Sequence, residues 1–472
     1  MLKLLYILGV AAIPFNDFYP LLPLGEIQYE LSVYVFFAAI GMFFVTHEKV
    51  LGQIKVLNST TPFIRQPLGK IAILLMGSIA FSFVMNFPDM FGGKYHGRYP
   101  IEKFVTSTAT VSYGLVLAYL TYVLSRIYSW HEVVIKPIAI SVAICSIVAC
   151  FELLAWAGGP FRPLYVVISK FTHLGYDFTF DVVSATKADW LLIGRARSIC
   201  FEPPSLANFA GFAWPWTFAG IFTTSKRAKP VYILLWLMCT VLILIANSRT
   251  SILLLPSNFF ILFLLSKIYL PKVPGNSVIK RAVSTGLVMG TIILLLVFFT
   301  NTDKLTDAIM RGTSTSNITR YSLMSAAVHM FLSNPVWGYG FGQFGFHVID
   351  FMPPWGYYSW EIKEWLVSTF TFWPPVFSIF ARFAAELGII GVVIWISTWI
   401  ILARTVYRVT LAYQIKTGEL LPMSYPLIMS CYCTLLSGIA LDSLRTPMMW
   451  IGLGLCCSYI YTVRAKLVKL QS

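Results

Sequence analysis

The chain has 472 residues, of which 57% are hydrophobic and only 12% charged, with a mean hydropathy of +0.74. A soluble chain of this length is not so apolar, and no period-two alternation marks barrel strands, so the composition specifies an all-α polytopic membrane protein. A net charge of +15 suggests nucleic acid in a soluble protein; here it reads as the Lys and Arg that cytoplasmic loops collect, and no nucleic-acid partner is expected.

Apolar runs long enough to span fall near residues 4–14, 29–46, 71–87, 104–125, 137–156, 206–223, 231–246, 251–266, 283–300, 384–403, 424–441 and 447–463. That makes about 12 transmembrane helices in a single integral membrane domain, 1–472, with no internal repeat and no low-complexity linker. Met1-Leu2-Lys3 runs straight into apolar sequence without a small-residue cleavage site, so the first run reads as a retained span. Seven of the eight cysteines lie inside apolar runs and Cys200 lies outside them. Neither a disulfide framework nor a zinc spacing is expected.

Charge sets the orientation. With both termini inside, short inside segments hold 20 of the 35 positive residues and short outside loops hold five: Lys94, Arg98, Lys103, Arg249 and Arg445. The positive-inside rule favours this arrangement. The other ten positives sit in two long outside loops, 157–205 and 301–382. Outside, Arg outnumbers Lys nine to six; inside, Lys outnumbers Arg thirteen to seven. Lys suits a leaflet anchor, whereas the planar Arg fork suits phosphate or carboxylate. Two readings of the outside arginines stand: recognition of an anionic ligand, or pairing with Asp177, Asp181, Asp189, Asp303 and Asp307.

Pro and Gly break the outside loops into short helices. Residues 319–333 read as one, stopped by Asn334-Pro335. Residues 355–373, with Trp355, Trp360, Trp365 and Trp373 beside Glu361, Lys363 and Glu364, read as a surface helix in the interface, its tryptophans an aromatic belt.

Several groupings have chemical potential. Gly340-Phe341-Gly342-Gln343-Phe344-Gly345 matches G-x-G-x-x-G, but follows a proline-stopped helix rather than a strand and has no βαβ room, so a tight turn is expected instead of a dinucleotide site. Arg195 and Arg197 precede Glu202-Pro203-Pro204; in an extended segment both guanidiniums can grip one diphosphate, or they snorkel at the membrane surface. Arg249 sits in a turn of a few residues between two spans, either facing the bundle interior or snorkelled at a helix end. Arg382 and Glu386 stand at i, i+4 on the helix entering the membrane. They form an ion pair, or an anion clamp beside a carboxylate able to take a proton. His329 lies on the opposite helix face from Arg320 and reads as a packing residue. His347 is an open candidate. No Ser-His-Asp order or metal cluster is evident.

The order Arg197-Ser198-Ile199-Cys200-Phe201-Glu202-Pro203, Asn247-Ser248-Arg249-Thr250-Ser251, Arg320 with Asn334-Pro335-Val336-Trp337-Gly338-Tyr339-Gly340, and Glu386-Leu387-Gly388-Ile389-Ile390-Gly391 resembles the O-antigen polymerase and O-antigen ligase superfamily. The resemblance covers roughly Arg195 to Gly391. It implies a GT-C-like membrane glycosyltransferase of the bacterial inner membrane, with its active site facing the periplasm and no metal or other cofactor. It implies as partners an undecaprenyl-diphosphate-linked oligosaccharide, membrane lipid and a chain-length regulator. Carried over residue by residue, it makes Glu386, Arg320 and Arg382 catalytic, and Arg195, Arg197, Arg249 and Arg320 binders of the diphosphate. Many ligases of this family have a His at the start of the Glu386 helix, where this chain has Phe377 and Ser378. The expected activity is therefore surface-polysaccharide polymerase, with O-antigen ligase as the family rival. A lipid-linked oligosaccharide transporter is the rival from another class; it should show repeated halves and charges near mid-span, and neither is evident.

Overall fold

The protein is described here by a computed structural model covering residues 1–19, 21–22, 27–55, 66–156, 161–172, 195–269, 315–367, 373–419 and 421–470. Among these residues the regular structure is helical; the only pairing of strand type recorded among them is an isolated bridge between Tyr95 and Arg98. The α-helices are α1 (Leu2–Ala11), α2 (Leu31–Lys55), α3 (Pro67–Met85), α4 (Pro100–Ile127), α5 (Lys136–Trp156, continuing a π-turn at His131–Ile135), α6 (Phe161–Thr172), α7 (Pro203–Thr223) and α8 (Lys229–Ala246). They continue with α9 (Arg249–Tyr269), α10 (Thr315–Ser333), α11 (Phe344–His347), α12 (Trp360–Val367), α13 (Ile379–Thr417), α14 (Ser424–Ser437) and α15 (Pro447–Lys469).

Local signals explain most of the boundaries. Proline opens α3, α4, α7, α8 and α15 at the first or second helical position, where its missing N–H costs nothing. At α4 the Glu102 carboxylate also accepts the Tyr99 backbone N–H at 3.0 Å. Asn247 and Gly418 close α8 and α13 in the left-handed conformation.

Eleven of the twelve expected spans coincide with helices; the twelfth, 283–300, lies outside the described residues. Six of the eleven (α3, α4, α5 with its π-turn, α8, α13 and α15) are long and apolar enough to cross a membrane. Shorter apolar helical stretches among the described residues are Leu2–Ala11, Leu31–Thr46 within α2 and Leu253–Leu265 within α9. The chain is a multi-pass membrane protein.

The helices pack as membrane helices do. Small residues let backbones approach: Gly114 of α4 lies against Trp450 of α15, Gly454 of α15 against the Ala118 carbonyl of α4, and Gly220 of α7 against Tyr232 of α8. Side-chain hydrogen bonds cross between helices, as at Tyr6–Thr121 (2.9 Å), Trp214–Thr240 (2.9 Å) and Thr410–Tyr459 (2.8 Å). The two ends of the bundle differ. At one, Lys3 pairs with Glu132 at 2.6 Å and the Tyr232 hydroxyl meets His131 Nε2 at 2.9 Å. At the other lie the arginine-bearing segments.

The described part of 301–382 folds onto that second end. α10 spans the expected 319–333 helix and ends at Ser333, before Asn334-Pro335. A small apolar core of Leu323, Ala326, Met330, Phe344, Val348, Ile362 and Leu366 reaches Ala385 at the start of α13. The single surface helix expected over 355–373 is not formed. A 3-10 turn at Pro354–Tyr358 is followed by α12, and Ser359 between them is extended. Burial explains the break: the Ser359 hydroxyl is held 2.6 Å from that of Thr319 on α10. Trp355 and Trp360 are exposed, while Trp365 packs on Phe377 and Trp373 on Phe346.

Candidate functional site

The glycine-rich turn docks on a break in α13. Gly388 has φ 64 and ψ −161 inside the helix, a conformation essentially reserved for glycine. The break releases carbonyls that the helical ladder would have used, and the turn supplies their donors. The Tyr339 N–H donates to Ala385 O at 2.9 Å and the Gly340 N–H to Glu386 O at 3.0 Å; in return the Ile389 N–H donates to Pro335 O at 2.8 Å. A Cβ on Gly338 would stand 2.5 Å from the Glu386 carbonyl carbon, and one on Gly388 would meet the Val336 carbonyl. The turn therefore needs glycine for close approach as well as for positive φ. From α3, the Ser82 hydroxyl lies 2.8 Å from Trp337 O and 3.0 Å from Glu386 O, and Asn86 Nδ2 donates to Gly338 O at 3.2 Å. The expected tight turn is present, and two motifs distant in sequence form one unit.

A charged group is buried beneath it. Arg382 Nε donates to Glu386 Oε2 at 3.2 Å, with side-chain exposures of 8% and 2%. The Gly342 N–H also reaches the Glu386 carboxylate, and the Lys103 ammonium adds a second positive field there. Lys103, on the first turn of α4, is 1% exposed, and its Nζ lies 4.8 Å from the Trp373 ring centroid. A second Arg382 nitrogen, Nη1, donates to Asp442 O at 3.0 Å, while the Asp442 carboxylate accepts the Val376 N–H at 2.6 Å. The intrahelical ion pair thus forms inside a two-cation, one-carboxylate cluster. Such a cluster can stabilise an anion while keeping a carboxylate within its reach. Arg320, half-buried on α10, stacks 4.7 Å over the ring of Phe377, which sits at φ 61 just before α13.

The first arginine motif forms a second cluster. The Glu152 carboxylate near the end of α5 accepts the Arg197 N–H at 3.2 Å and the Ser198 N–H at 2.8 Å, with Ser198 left-handed at φ 55. The Ala196 N–H donates to Ile245 O at 2.8 Å, tying the segment to the end of α8. The Arg197 side chain bonds Tyr165 of α6 and lies in the field of Glu152. Arg195 is half-buried beside it in sequence. Arg249 opens α9, where Ser248 caps the helix through its hydroxyl to the Ser251 N–H at 3.2 Å; the Arg249 side chain lies outside the described part of the structure.

Of the histidines, His329 is exposed rather than packed, with Nδ1 3.5 Å from Phe351 O. Burial holds the His347 imidazole below its ordinary range, opposed by the Asp89 and Asp350 carboxylates, so it is neutral near pH 7.

Sequence reasoning passed over three participants. In the sequence Lys103 reads only as an outside-loop charge just before the apolar run that opens at 104; the helix start at Pro100 places it in the first turn. Glu152 lies within the 137–156 run, and a carboxylate in a span is by default a functional hypothesis. Asp442 carries no local signal, because both its backbone carbonyl and its carboxylate take donors from a segment some 60 residues earlier, Arg382 and the Val376 N–H.

These clusters share one end of the bundle: the C-terminal ends of α3, α5, α8 and α14 and the N-terminal ends of α4, α7, α9, α13 and α15. Fold and site together define a multi-pass helical membrane protein with a buried arginine–glutamate–lysine group under a glycine-rich turn. Residues 233–396, from α8 into α13, match the family model described as O-antigen ligase. The resemblance to the O-antigen polymerase and ligase superfamily holds over that stretch, which includes Arg249, Arg320, Arg382 and Glu386. No curated protein matches the chain.

Proposed function

We propose that the protein is a polymerase of O-antigen or a related surface polysaccharide, acting in the bacterial inner membrane on undecaprenyl-diphosphate-linked repeat units at the periplasmic face. The observation carrying this reading is the Arg382–Glu386 pair, with Lys103 beside it, buried under the glycine turn at the arginine-rich end of the bundle. In the reaction a sugar hydroxyl of the acceptor unit attacks the anomeric carbon of the donor. The new C–O bond forms as the bond from the anomeric carbon to the diphosphate oxygen breaks, and the hydroxyl proton passes to Glu386. The electron pair of the broken bond leaves with the lipid diphosphate, whose charge Arg320 and Arg382 stabilise without a metal ion. Arg195, Arg197 and Arg249 hold the same diphosphate in this reading, and a chain-length regulator is the expected protein partner.

The family rival, transfer of the glycan to lipid A-core, shares the donor half of the site. Phe377 and Ser378 favour the polymerase: the His expected of many ligases is absent there, and the Phe377 ring is covered by Arg320. The test is reconstitution. Purified protein and its lipid-linked repeat unit alone should yield a ladder of longer lipid-linked chains, undiminished by a chelator. Deletion should leave lipid A-core capped by a single repeat unit if the polymer is O-antigen. Bare core alongside long carrier-linked chains would make the protein a ligase.

A further inference from the structure

α6 has two faces with opposite fates. It follows the membrane-spanning α5 after four residues and packs against it at the arginine-bearing end of the bundle. With 12 residues it is too short to cross a membrane. One face is settled inside the protein. Tyr165 and Ser169, at i and i+4, are each 1% exposed, and Tyr165 lies against Arg197 and Glu152. The opposite face is exposed and apolar: Leu164 is 42% accessible, Val167 52% and Phe171 75%. Their i, i+3, i+7 spacing aligns them in one stripe along the helix.

Lipid is the partner this face fits. Scattered apolar residues on a surface are ordinary, but an aligned stripe of large ones marks an interaction surface. The charge of the helix narrows the partner. α6 carries no Asp or Glu, and its two charged residues, Arg162 and Lys170, are both basic and both exposed. Long basic side chains beside an apolar stripe suit the boundary of a bilayer, where the stems lie along acyl chains and the tips reach headgroup phosphates. The support of α6 is itself in the membrane. α5 exposes Ile147 and Leu154, as the lipid-facing residues of a span do, so the bilayer already surrounds the helix on which α6 rests.

We propose that α6 is a membrane-seated helix that does not span, held in the leaflet at the arginine-bearing end with Leu164, Val167 and Phe171 among acyl chains and Arg162 and Lys170 at headgroup phosphates. The proposal is independent of the reaction the protein performs. Its consequence falls on the first arginine motif: lipid on one face of α6 holds Tyr165 on the other, and with it Arg197, at headgroup depth.

The test uses the full-length protein in nanodiscs of phosphatidylethanolamine and phosphatidylglycerol. Cys150 is exposed while the other seven cysteines are buried, so Cys150→Ser gives the background for spin labelling. Labels go on Leu164→Cys, Val167→Cys and Phe171→Cys, with two references. Val241→Cys lies on the span α8, where Val241 is 50% exposed, and Lys226→Cys lies on the exposed connection before it. Power saturation then compares collisions with oxygen, which concentrates among acyl chains, and with a water-soluble nickel chelate. The oxygen-to-nickel ratio at all three α6 positions should exceed that at Lys226 several-fold and approach that at Val241. A ratio no higher than at Lys226 at any of the three would put the face in water and overturn the proposal. Exclusion of both reagents would mean that protein covers the face, either more of this chain or a second copy, and overturns it equally. A measurement without substitutions guards against misfolded variants. A diazirine photolabel dissolved in the acyl chains should mark the 161–172 peptide of the unsubstituted protein, and an unmarked peptide counts against the seating.

Discussion

Arg382 and Glu386 are each buried against the other, and that decides what their loss should do. Arg382→Ala leaves the Glu386 carboxylate without its guanidinium and Asp442 O without its donor. Removing one partner of a buried pair costs about 3–5 kcal/mol. The expected outcome is a lowered melting midpoint together with lost polymer; a variant as stable as wild type would show that the pair is not held as the 3.2 Å contact implies. Arg320 stands differently, half-buried on α10 with its guanidinium over the Phe377 ring. Arg320→Ala should abolish product with near-normal protein level, and Arg320→Lys should recover little, because an ammonium cannot reproduce a forked contact. Wild-type chain lengths from the alanine variant would remove Arg320 from the site. Glu152 is the anchor of the first arginine motif. Glu152→Ala strips the acceptor from the Arg197 and Ser198 N–H groups, at about 1–3 kcal/mol for each donor left unsatisfied, whereas Glu152→Gln keeps one oxygen. Limited proteolysis near residues 195–200 should be faster for the alanine variant than for the glutamine variant.

At the scale of the element, α13 is two helical pieces joined at Gly388. The join exists so that the 334–340 turn can take the carbonyls of Ala385 and Glu386. Gly388→Ala meets both obstacles at once, a conformation that only glycine enters readily and the Val336 carbonyl where the methyl would go. Together these cost about 2–5 kcal/mol. The variant should lose activity and stability together, read as lower yield of folded protein from detergent. Gly418→Ala is the control: a left-handed glycine with open space around it, where only the modest conformational cost applies. Equal damage from both substitutions would mean that the turn does not dock on the helix break.

At the scale of the molecule, the contacts sort the chain into two ends. One holds Lys3, His131 and the 225–229 connection; the other holds every candidate site residue whose side chain the structure describes. On the Lys-rich bias we propose that the first end is cytoplasmic. A reporter active only in the periplasm should be silent when fused at Arg227 and active at Gly356. Activity at Arg227 would invert the protein and place the arginine clusters on the wrong side for a periplasmic glycan.

Hydrophobic run length and proline punctuation are local properties, so the sequence by itself determined that the chain is helical and spans a membrane, and eleven of its apolar runs fall on helices, although α2 and α13 run on to Lys55 and Thr417, well past the runs that end at 46 and 403. It also determined the order of the arginine motifs, on which the family resemblance stands, and the helical i, i+4 spacing that joins Arg382 to Glu386. It misjudged 355–373, because what interrupts that stretch is a hydrogen bond from Ser359 to a residue on another helix. Which charges meet was decided only by the tertiary structure. Lys103 beside Glu386, Glu152 beneath Arg197, and Arg445 against Glu30 each join residues remote in the chain, and no periodicity carries that information. The break at Gly388 belongs with them: a glycine in a helix reads the same whether or not another segment needs the carbonyls it frees, and here the docked turn is the physical reason for it.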